Sequence, residues 1–483
     1  MKPRAPASRW TAVSLTALAL AGCTSIGDPD PHALLPPNAG AGAPLRPARS
    51  GLAPQQTFAI GQATPAGWWR AFGCAPLDAL EAQALTANND LAAADAALRQ
   101  ARALAGVAAG ALGPAVDLGY SAQRARTSEA LSPPVTDSNQ LLYSLHTAQV
   151  TVNYPVDLFG ELHARRRSAI ASAKAAAARL LAARQTVAAN LVVAAITRAE
   201  LADQIAATRT GLAAARETLA LSRRRRDLGA SGDADVAAQE AALAATEGSL
   251  PALERAEAHQ QAVIAALLGR APGIVLPPLP ESACFALPVT VPVAEPADVV
   301  RHRPDVMAAA AAVEGAAADA HAAVAARFPS LTLSGAGGGA SQNFGDMFRD
   351  ANLFWSVLGG ITAPLFHAGA LHHHQEAALA ALDQSKAQYR AAVIQAFVDV
   401  NDALNGLYGD AAVLAAADRA LAAAERSAEF VRRQQQLGDV GTFSVLSAQA
   451  ALQQARIQTV AARAAWLTDT VALYQANGVG ETQ

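Results

Sequence analysis

Two stretches of this 483-residue chain carry matching residues at one fixed distance. Asn153-Tyr154-Pro155 and Thr362-Ala363-Pro364 lie 364 − 155 = 209 positions apart. The same offset relates Gly160 to Gly369, Leu162 to Leu371, and Arg223-Arg224 to Arg432-Arg433. It runs on through Leu228-Gly229 and Leu437-Gly438, Gly232 and Gly441, Val236 and Val445, and Leu243 and Leu452. Upstream the offset is 215, relating Asp90 to Asp305, Leu98 to Val313 and Pro114 to Pro329. The six-residue difference falls between Pro114 and Pro155, an interval holding the Ser/Pro/Asp-rich run 128–139, which has the composition of a surface loop. The chain must therefore fold as two tandem copies of one unit.

Each copy reads helix, strand, loop, strand, helix, turn, helix. Residues 77–112 and 297–327 are rich in Ala, Leu and charged helix formers. From about 158 to 228, and again from about 368 to 437, helix formers dominate and proline is absent. At 1.5 Å per residue each run is about 105 Å long, too long for a compact globule. Leu-Gly then predicts a C-cap with glycine in the left-handed region, and a returning helix follows at 233–268 and 442–477. Alanine-rich helices can pack near the lower end of the 8–10 Å spacing. A freestanding coiled coil would explain the helices but not the strands between them.

Those strands alternate. In 147–154, Ala148, Val150, Val152 and Tyr154 share one face, while Thr147, Gln149, Thr151 and Asn153 share the other. Shifted by 209, the apolar parity predicts Val357, Gly359, Ile361 and Ala363 on the lipid side, with Trp355 before them. Residues 114–121 and 329–335 supply the preceding strands, with Val116, Leu118 and Tyr120 and with Leu331 and Leu333 as apolar sets. Alternation of this kind suits a membrane barrel as well as a soluble half-buried sheet. Four strands cannot close a barrel, and open edges in lipid leave backbone groups unsatisfied. Closure therefore calls for several chains, and three would give twelve strands.

The ends agree with a membrane setting. Lys2, Arg4 and Arg9 precede an apolar run from Thr11 to Ala21, too short for a mature span and ending in Leu20-Ala21-Gly22-Cys23. That ending resembles the lipobox of bacterial lipoproteins, which implies a signal peptide over 1–22, cut to expose Cys23 for acylation; by the same resemblance Thr24 favours outer-membrane sorting. Loss of three positive charges takes the formal net charge from −3 to about −6, so nothing basic points to nucleic acid. The apolar stretch 306–328 is broken by Glu314, Asp319 and His321, and no other segment reads as a transmembrane helix. Cys74 and Cys284 each precede an Ala-rich helical segment in a compartment that permits disulfides; a bridge and two buried thiols both fit the sequence.

Arg301-His-Arg-Pro-Asp-Val306 resembles the Arg-Pro-Asp hallmark of TolC-like outer-membrane efflux proteins, in their OprM/NodT lipoprotein branch. Phe328-Pro-Ser-Leu-Thr-Leu333, Asp157-Leu-Phe-Gly160, Pro364-Leu-Phe366 and Phe443-Ser-Val-Leu-Ser-Ala448 resemble segments of the same family. The resemblance implies a mixed α and β membrane protein with four transmembrane strands and long helical hairpins per chain. Three chains would close a twelve-stranded barrel continued by a periplasmic α-helical tunnel. It further implies an exit duct for small molecules such as drugs or toxic compounds, serving a periplasmic adaptor and an inner-membrane pump. The domains would be 1–22 signal peptide, 23–75 anchored equatorial segment, 76–270 first repeat, 271–296 Pro-rich linker, 297–477 second repeat and 478–483 tail. The first copy has Asn88-Asn89-Asp90 where the second has Arg303-Pro304-Asp305. That difference argues for a helix-start role, with Pro304 at the first position and Asp305 favoured by the helix dipole.

Other motifs carry less. The glycine-rich 335–340 run lacks the following helix of a dinucleotide loop and reads as a strand end. His372, His373 and His374 are adjacent and have no Cys or Glu at ligand spacing, so no metal is expected. Asp227, Asp233, Asp439 and Arg432 flank the two helical turns and are candidates for a periplasmic gate. The turns Leu228-Gly229 and Leu437-Gly438 are candidates for docking the adaptor. With no nucleophile–base pair, phosphate loop or paired-carboxylate motif, the chain reads as a non-enzyme without cofactor beyond the lipid on Cys23. A lipid-anchored periplasmic adaptor is the rival reading, and the two matched repeats speak against it.

Overall fold

A computed structural model describes residues 56–126, 142–437 and 439–478. The expected signal peptide, Cys23, the 128–139 loop, Gly438 and the tail beyond Gly478 lie outside them. In chain order the elements are β1 (Thr57–Ile60), α1 (Ala75–Ala87), α2 (Asn89–Gly110), β2 (Ala115–Arg126), β3 (Leu142–Val156), α3 (Glu161–Asp227) and α4 (Asp233–Leu267). They continue with β4 (Thr290–Val293), α5 (Pro296–His302), α6 (Pro304–Ala325), β5 (Ser330–Ser341), β6 (Leu353–Thr362), α7 (Ala370–Leu437) and α8 (Thr442–Asn477). The repeat is kept to the residue. Strand β5 starts and ends 215 positions after β2, as α6 does after α2, and α7 and α8 start 209 after α3 and α4.

The single helices expected over 77–112 and 297–327 are each broken in two, at Asn88 and at Arg303. Both residues are extended, with ψ 129° and 122°. At Arg303 the cause is the following Pro304, whose ring disfavours helical geometry in the residue before it. At Asn88 the side chain is the cause: its Oδ1 accepts the backbone N–H groups of Asp90 (2.8 Å) and Leu91 (3.1 Å), capping α2.

The chain divides into two compact units. One comprises Leu98–Ala176 and Ala309–Gln388 and holds an antiparallel sheet in the order β2-β3-β5-β6. The copies meet in its middle, where β3 pairs with β5 from His146↔Ser341 to Val156↔Leu331. Helix α3 approaches α6 closely here: a Cβ on Gly315 would lie 3.5 Å from the Ala171 methyl. Lys174 and Glu314 pair at 2.6 Å across the same contact.

The other unit comprises the described parts of Leu35–Ala97, Ala177–Ala308 and Tyr389–Gln483. Its core packs Leu80, Ala84, Leu91, Val187, Leu191, Ala194, Ile264 and Leu268. Strand β1 pairs in parallel with β4, from Thr57↔Thr290 to Ile60↔Val293, and a disulfide joins Cys74 to Cys284. Asn477, at the end of α8, donates to the Pro292 carbonyl (2.7 Å) and accepts from the Ala294 N–H (3.3 Å). Trp68 stacks on Tyr474 at 5.2 Å, and the Trp466 indole N–H donates to Gln56 at 3.0 Å. Four distant sequence segments are thereby tied into one body.

Helices α3 and α7 contain 67 and 68 residues, about 100 Å each. By length and composition α3 includes an 18-residue window apolar enough to cross a membrane, contrary to the sequence reading. Half of that window is buried inside the chain.

Glu81 on α1 is 0% exposed, and neither carboxylate oxygen has a hydrogen-bond partner among the described residues. Burial, helped by the neighbouring Asp78 charge, pushes its carboxyl up to about 9. The unfolded chain releases this proton above pH 4.5 while the folded chain keeps it, so stability is lost as pH rises between 4.5 and about 9. The upper limit of that loss is about 1.4 kcal/mol per pH unit. Glu81→Gln should therefore raise the melting temperature at pH 8 and leave it nearly unchanged at pH 4, as scanning fluorimetry of detergent-purified protein would record.

Candidate functional site

Cross-strand partners of an antiparallel sheet share a face, so the register sorts the strands' side chains. Val116, Leu118 and Tyr120 pair with Val152, Val150 and Ala148. Those β3 residues then meet Gly335, Gly337 and Gly339, which meet Val357, Trp355 and Leu353. The apolar sets read from the sequence thus lie on one face, with Tyr154, Leu333, Gly359 and Ile361 continuing it. That face is open: Leu118 is 82% exposed and Trp355 81%. The opposite face carries Asp117, Gln149, Thr151, Asn153, Ser334 and Ser356, with Phe354 and Leu358 as apolar exceptions. Two glycines of β5 have a packing reason: a Cβ on Gly338 would lie 2.1 Å from the Ala148 carbonyl oxygen, and one on Gly339 2.1 Å from the Met347 carbonyl oxygen. Among the described residues the outer edges of β2 and β6 pair with no strand.

At the helix breaks the two copies use one device. Arg303 donates Nε and Nη2 to the two oxygens of Asp305 (3.0 and 2.7 Å), Nη2 also to Asp399 (2.8 Å), and Nη1 to the Ala476 carbonyl (3.2 Å). In the first copy Asn88 donates Nδ2 to the Leu267 carbonyl at 3.0 Å. Leu267 and Ala476 are repeat equivalents. Arg303-Pro304-Asp305 therefore does more than start a helix: Arg303 clamps the break to the end of the returning helix. Burial alone would raise the Asp305 carboxyl, but Arg303 outweighs it and holds it below the usual carboxylate range. Further along α7, Asp410 lies against Asp469 of α8, and burial with that neighbouring charge pushes Asp410 up to about 6.

The hairpin tips carry the expected gate residues. Helix α3 ends in paired bonds from Ala230 N–H to the Arg225 carbonyl (2.7 Å) and from Gly229 N–H to Arg226 (2.8 Å), with Gly229 at φ 75°. At the second tip the Asp439 N–H reaches the Gln434 carbonyl at 2.9 Å, the same spacing. Leu228 and Leu437 are 84% and 77% exposed, and Phe443 is 77% exposed beside the second. Arg226 pairs with Asp227 (2.7 Å) and reaches Asp233 (4.0 Å), while Arg432 and Asp439 stand exposed.

Sequence reading passed over a ladder along the first hairpin. Arg209, Arg216 and Arg223 on α3 pair with Glu254, Glu247 and Glu240 on α4, at 2.7, 2.7 and 2.6 Å. Both sets step by seven, the spacing of one side of a coiled-coil seam, and that was the signal available. At the repeat-equivalent site of the second hairpin the signs are exchanged, Glu425 on α7 facing Arg456 on α8 at 3.9 Å. Exposed pairs of this kind contribute little each, so the ladder fixes register more than stability.

The histidines need a correction. A Glu partner does stand at ligand spacing: Glu376 lies 3.3 Å from His372 Nε2 and 2.9 Å from His373 Nδ1. Among the described residues, however, no group of three or more His, Cys, Asp or Glu side chains could hold a metal. Phe159 and Phe328, from two of the family-like segments, stack at 4.9 Å.

The sheet thus presents an open apolar face, and each strand pair leads into a helix of about 100 Å, α3 or α7. The chain belongs to the outer membrane efflux protein family, whose sequence model matches residues 80–270 and 296–479. It is 30% identical over 416 residues to the pyoverdine export outer membrane protein OpmQ of Pseudomonas aeruginosa, covering 86% of this chain and 87% of that one. It is 29% identical over 420 residues to the toluene efflux pump outer membrane protein TtgF of Pseudomonas putida, covering 85% of each. The solved outer-membrane channel OprN superposes with a TM-score of 0.85 at 26% identity, covering 95% of this chain and 99% of that one. This chain is an outer-membrane efflux channel protein.

Two glycines test the junction. Gly269 has φ 69°, and a Cβ there would lie 2.2 Å from the Ala87 carbonyl oxygen; Gly229 has φ 75° with nothing within 4 Å. Gly229→Ala should cost only the left-handed penalty of about 1–2 kcal/mol. Gly269→Ala adds a backbone collision and should lower the melting temperature by several degrees more.

Proposed function

We propose that three copies of this chain close a twelve-stranded barrel in the outer membrane and continue it as a periplasmic helical tunnel. The tunnel is the exit duct of a tripartite efflux pump. The observation that carries this reading is the sheet itself: an exposed apolar face bounded by two edges, β2 and β6, that no described strand pairs. In lipid those edges must pair, and pairing β2 of one chain with β6 of the next satisfies both. The lipoprotein pattern ending in Cys23 supports an acyl anchor in the same membrane.

A periplasmic adaptor and an inner-membrane pump are the partners this duct serves, with the exposed Leu228 and Leu437 turns as docking points for the adaptor. The pump supplies the energy and the duct is passive. Pyoverdine and toluene in the names of OpmQ and TtgF support small organic molecules as the cargo. An adaptor role for this chain is disfavoured by the doubled strand pairs with their outward apolar face. At the tips, Asp227, Asp233 and Asp439 with Arg432 form a charged constriction that favours cations.

Single-channel recording in planar bilayers tests the duct and its gate. The mature protein should give discrete conductance steps with a cation preference, and Asp227→Asn with Asp439→Asn should reduce that preference. Absence of steps contradicts the duct; an unchanged preference in the double variant contradicts the gate.

A further inference from the structure

The outward face of the sheet changes character along its length. Five successive cross-strand rows, from the Leu331 row to the Gly339 row, are apolar. Eight residues of strand rise about 27 Å, and at the 35–45° tilt of membrane strands they cover about 20 Å of height, close to a barrel's apolar band. At the upper limit of the band the face turns aromatic. The Tyr120 hydroxyl lies 2.9 Å from His146 Nδ1, and Phe344, from the segment joining β5 and β6, sets its ring edge-on to both Tyr120 (5.9 Å) and His146 (6.2 Å). Past this collar the next outward positions of β2 after Ala122 are Arg124 and Arg126, both exposed and about 7 Å apart along the strand. Their cross-strand partners are Ser144 and Leu142, so among the described residues no acid stands opposite them in the strand pair. The nearby acid Asp346 is engaged by Arg349 at 3.0 Å.

An apolar band, an aromatic collar and two guanidinium groups in line match the parts of a membrane lipid in order: acyl chains, interface and anionic headgroup. Arginine binds phosphate bidentately and stays charged at every relevant pH. This end of the sheet is the one away from the long helices, which leave the strands through Val156 and Thr362 at the other end. We propose that Arg124 and Arg126, above the Tyr120–His146–Phe344 collar, hold the phosphorylated headgroup of an outer-leaflet lipid. The assignment rests on the barrel reading above, which places this end outside the cell. Such a lipid would pack against the rim of β2, the strand that must pair with the next chain.

The test is native mass spectrometry of the detergent-purified mature protein titrated with bisphosphorylated lipid A, with phosphatidylcholine as the comparison. Lipid A should bind at least about tenfold more tightly than phosphatidylcholine. Arg124→Ser with Arg126→Ser should lose about tenfold of that affinity, the worth of one charged hydrogen-bonded contact. Arg124→Lys with Arg126→Lys should keep part of it, and serves alone if the serine variant fails to assemble. Equal binding of the wild type and whichever variant assembles overturns the site. So does displacement of the lipid by millimolar inorganic phosphate, which would make it an ion site. Planar-bilayer conductance of the same samples separates the two claims: channels without lipid A preference remove the site alone, and absence of channels removes the barrel reading with it.

Discussion

The backbone of two strand edges governs this molecule. Strands β2 and β6 bound a sheet whose exposed face is apolar over five rows. In water an edge of that kind would be solvated; in hydrocarbon each unpaired N–H and C=O costs several kcal/mol. A single chain cannot answer that cost, because its four strands cannot curl into a closed cylinder. The demand for an edge partner therefore ties the membrane surface to assembly, and assembly to the existence of a conduit.

The helical unit has a constraint of its own, the junction at which each returning helix ends. The structure meets it twice with one device. The returning helix of each hairpin ends against the break between two short helices, where glycine lets the backbones touch and a side chain bonds the last carbonyl. Asn88 and Arg303 fill that role with different chemistry at equivalent positions. Arg303 adds Asp305 and Asp399, so the second copy's junction is ionic where the first is neutral. The Cys74–Cys284 bridge and the β1–β4 pair bind the region between the copies to the N-terminal stretch.

Much of this was legible in the residues. The 209 and 215 offsets predicted two copies, and strand parity placed Val116, Val150, Val152, Val357 and Trp355 on one face before any register was known. Glycine after Leu228 marked the helix end because few other residues accept φ 75°. The breaks at Asn88 and Arg303 were missed for opposite reasons. Asn88 is a cap acting through its own side chain inside a helix-rich run, while Pro304 was read as starting a helix and not as ending the one before it. The clamp from Arg303 to Ala476 joins residues 173 apart and leaves no local trace. The arginine ladder did leave one, a seven-residue step on each helix, but its pairing depends on the antiparallel register set by the turn.

The central claim is that the open edges are closed by other copies of this chain. Native mass spectrometry of the detergent-extracted mature protein measures that directly. The account predicts a trimer, each subunit bearing lipid at Cys23. A stable monomer would contradict it, because four strands with free edges would then be sufficient in a membrane-like environment.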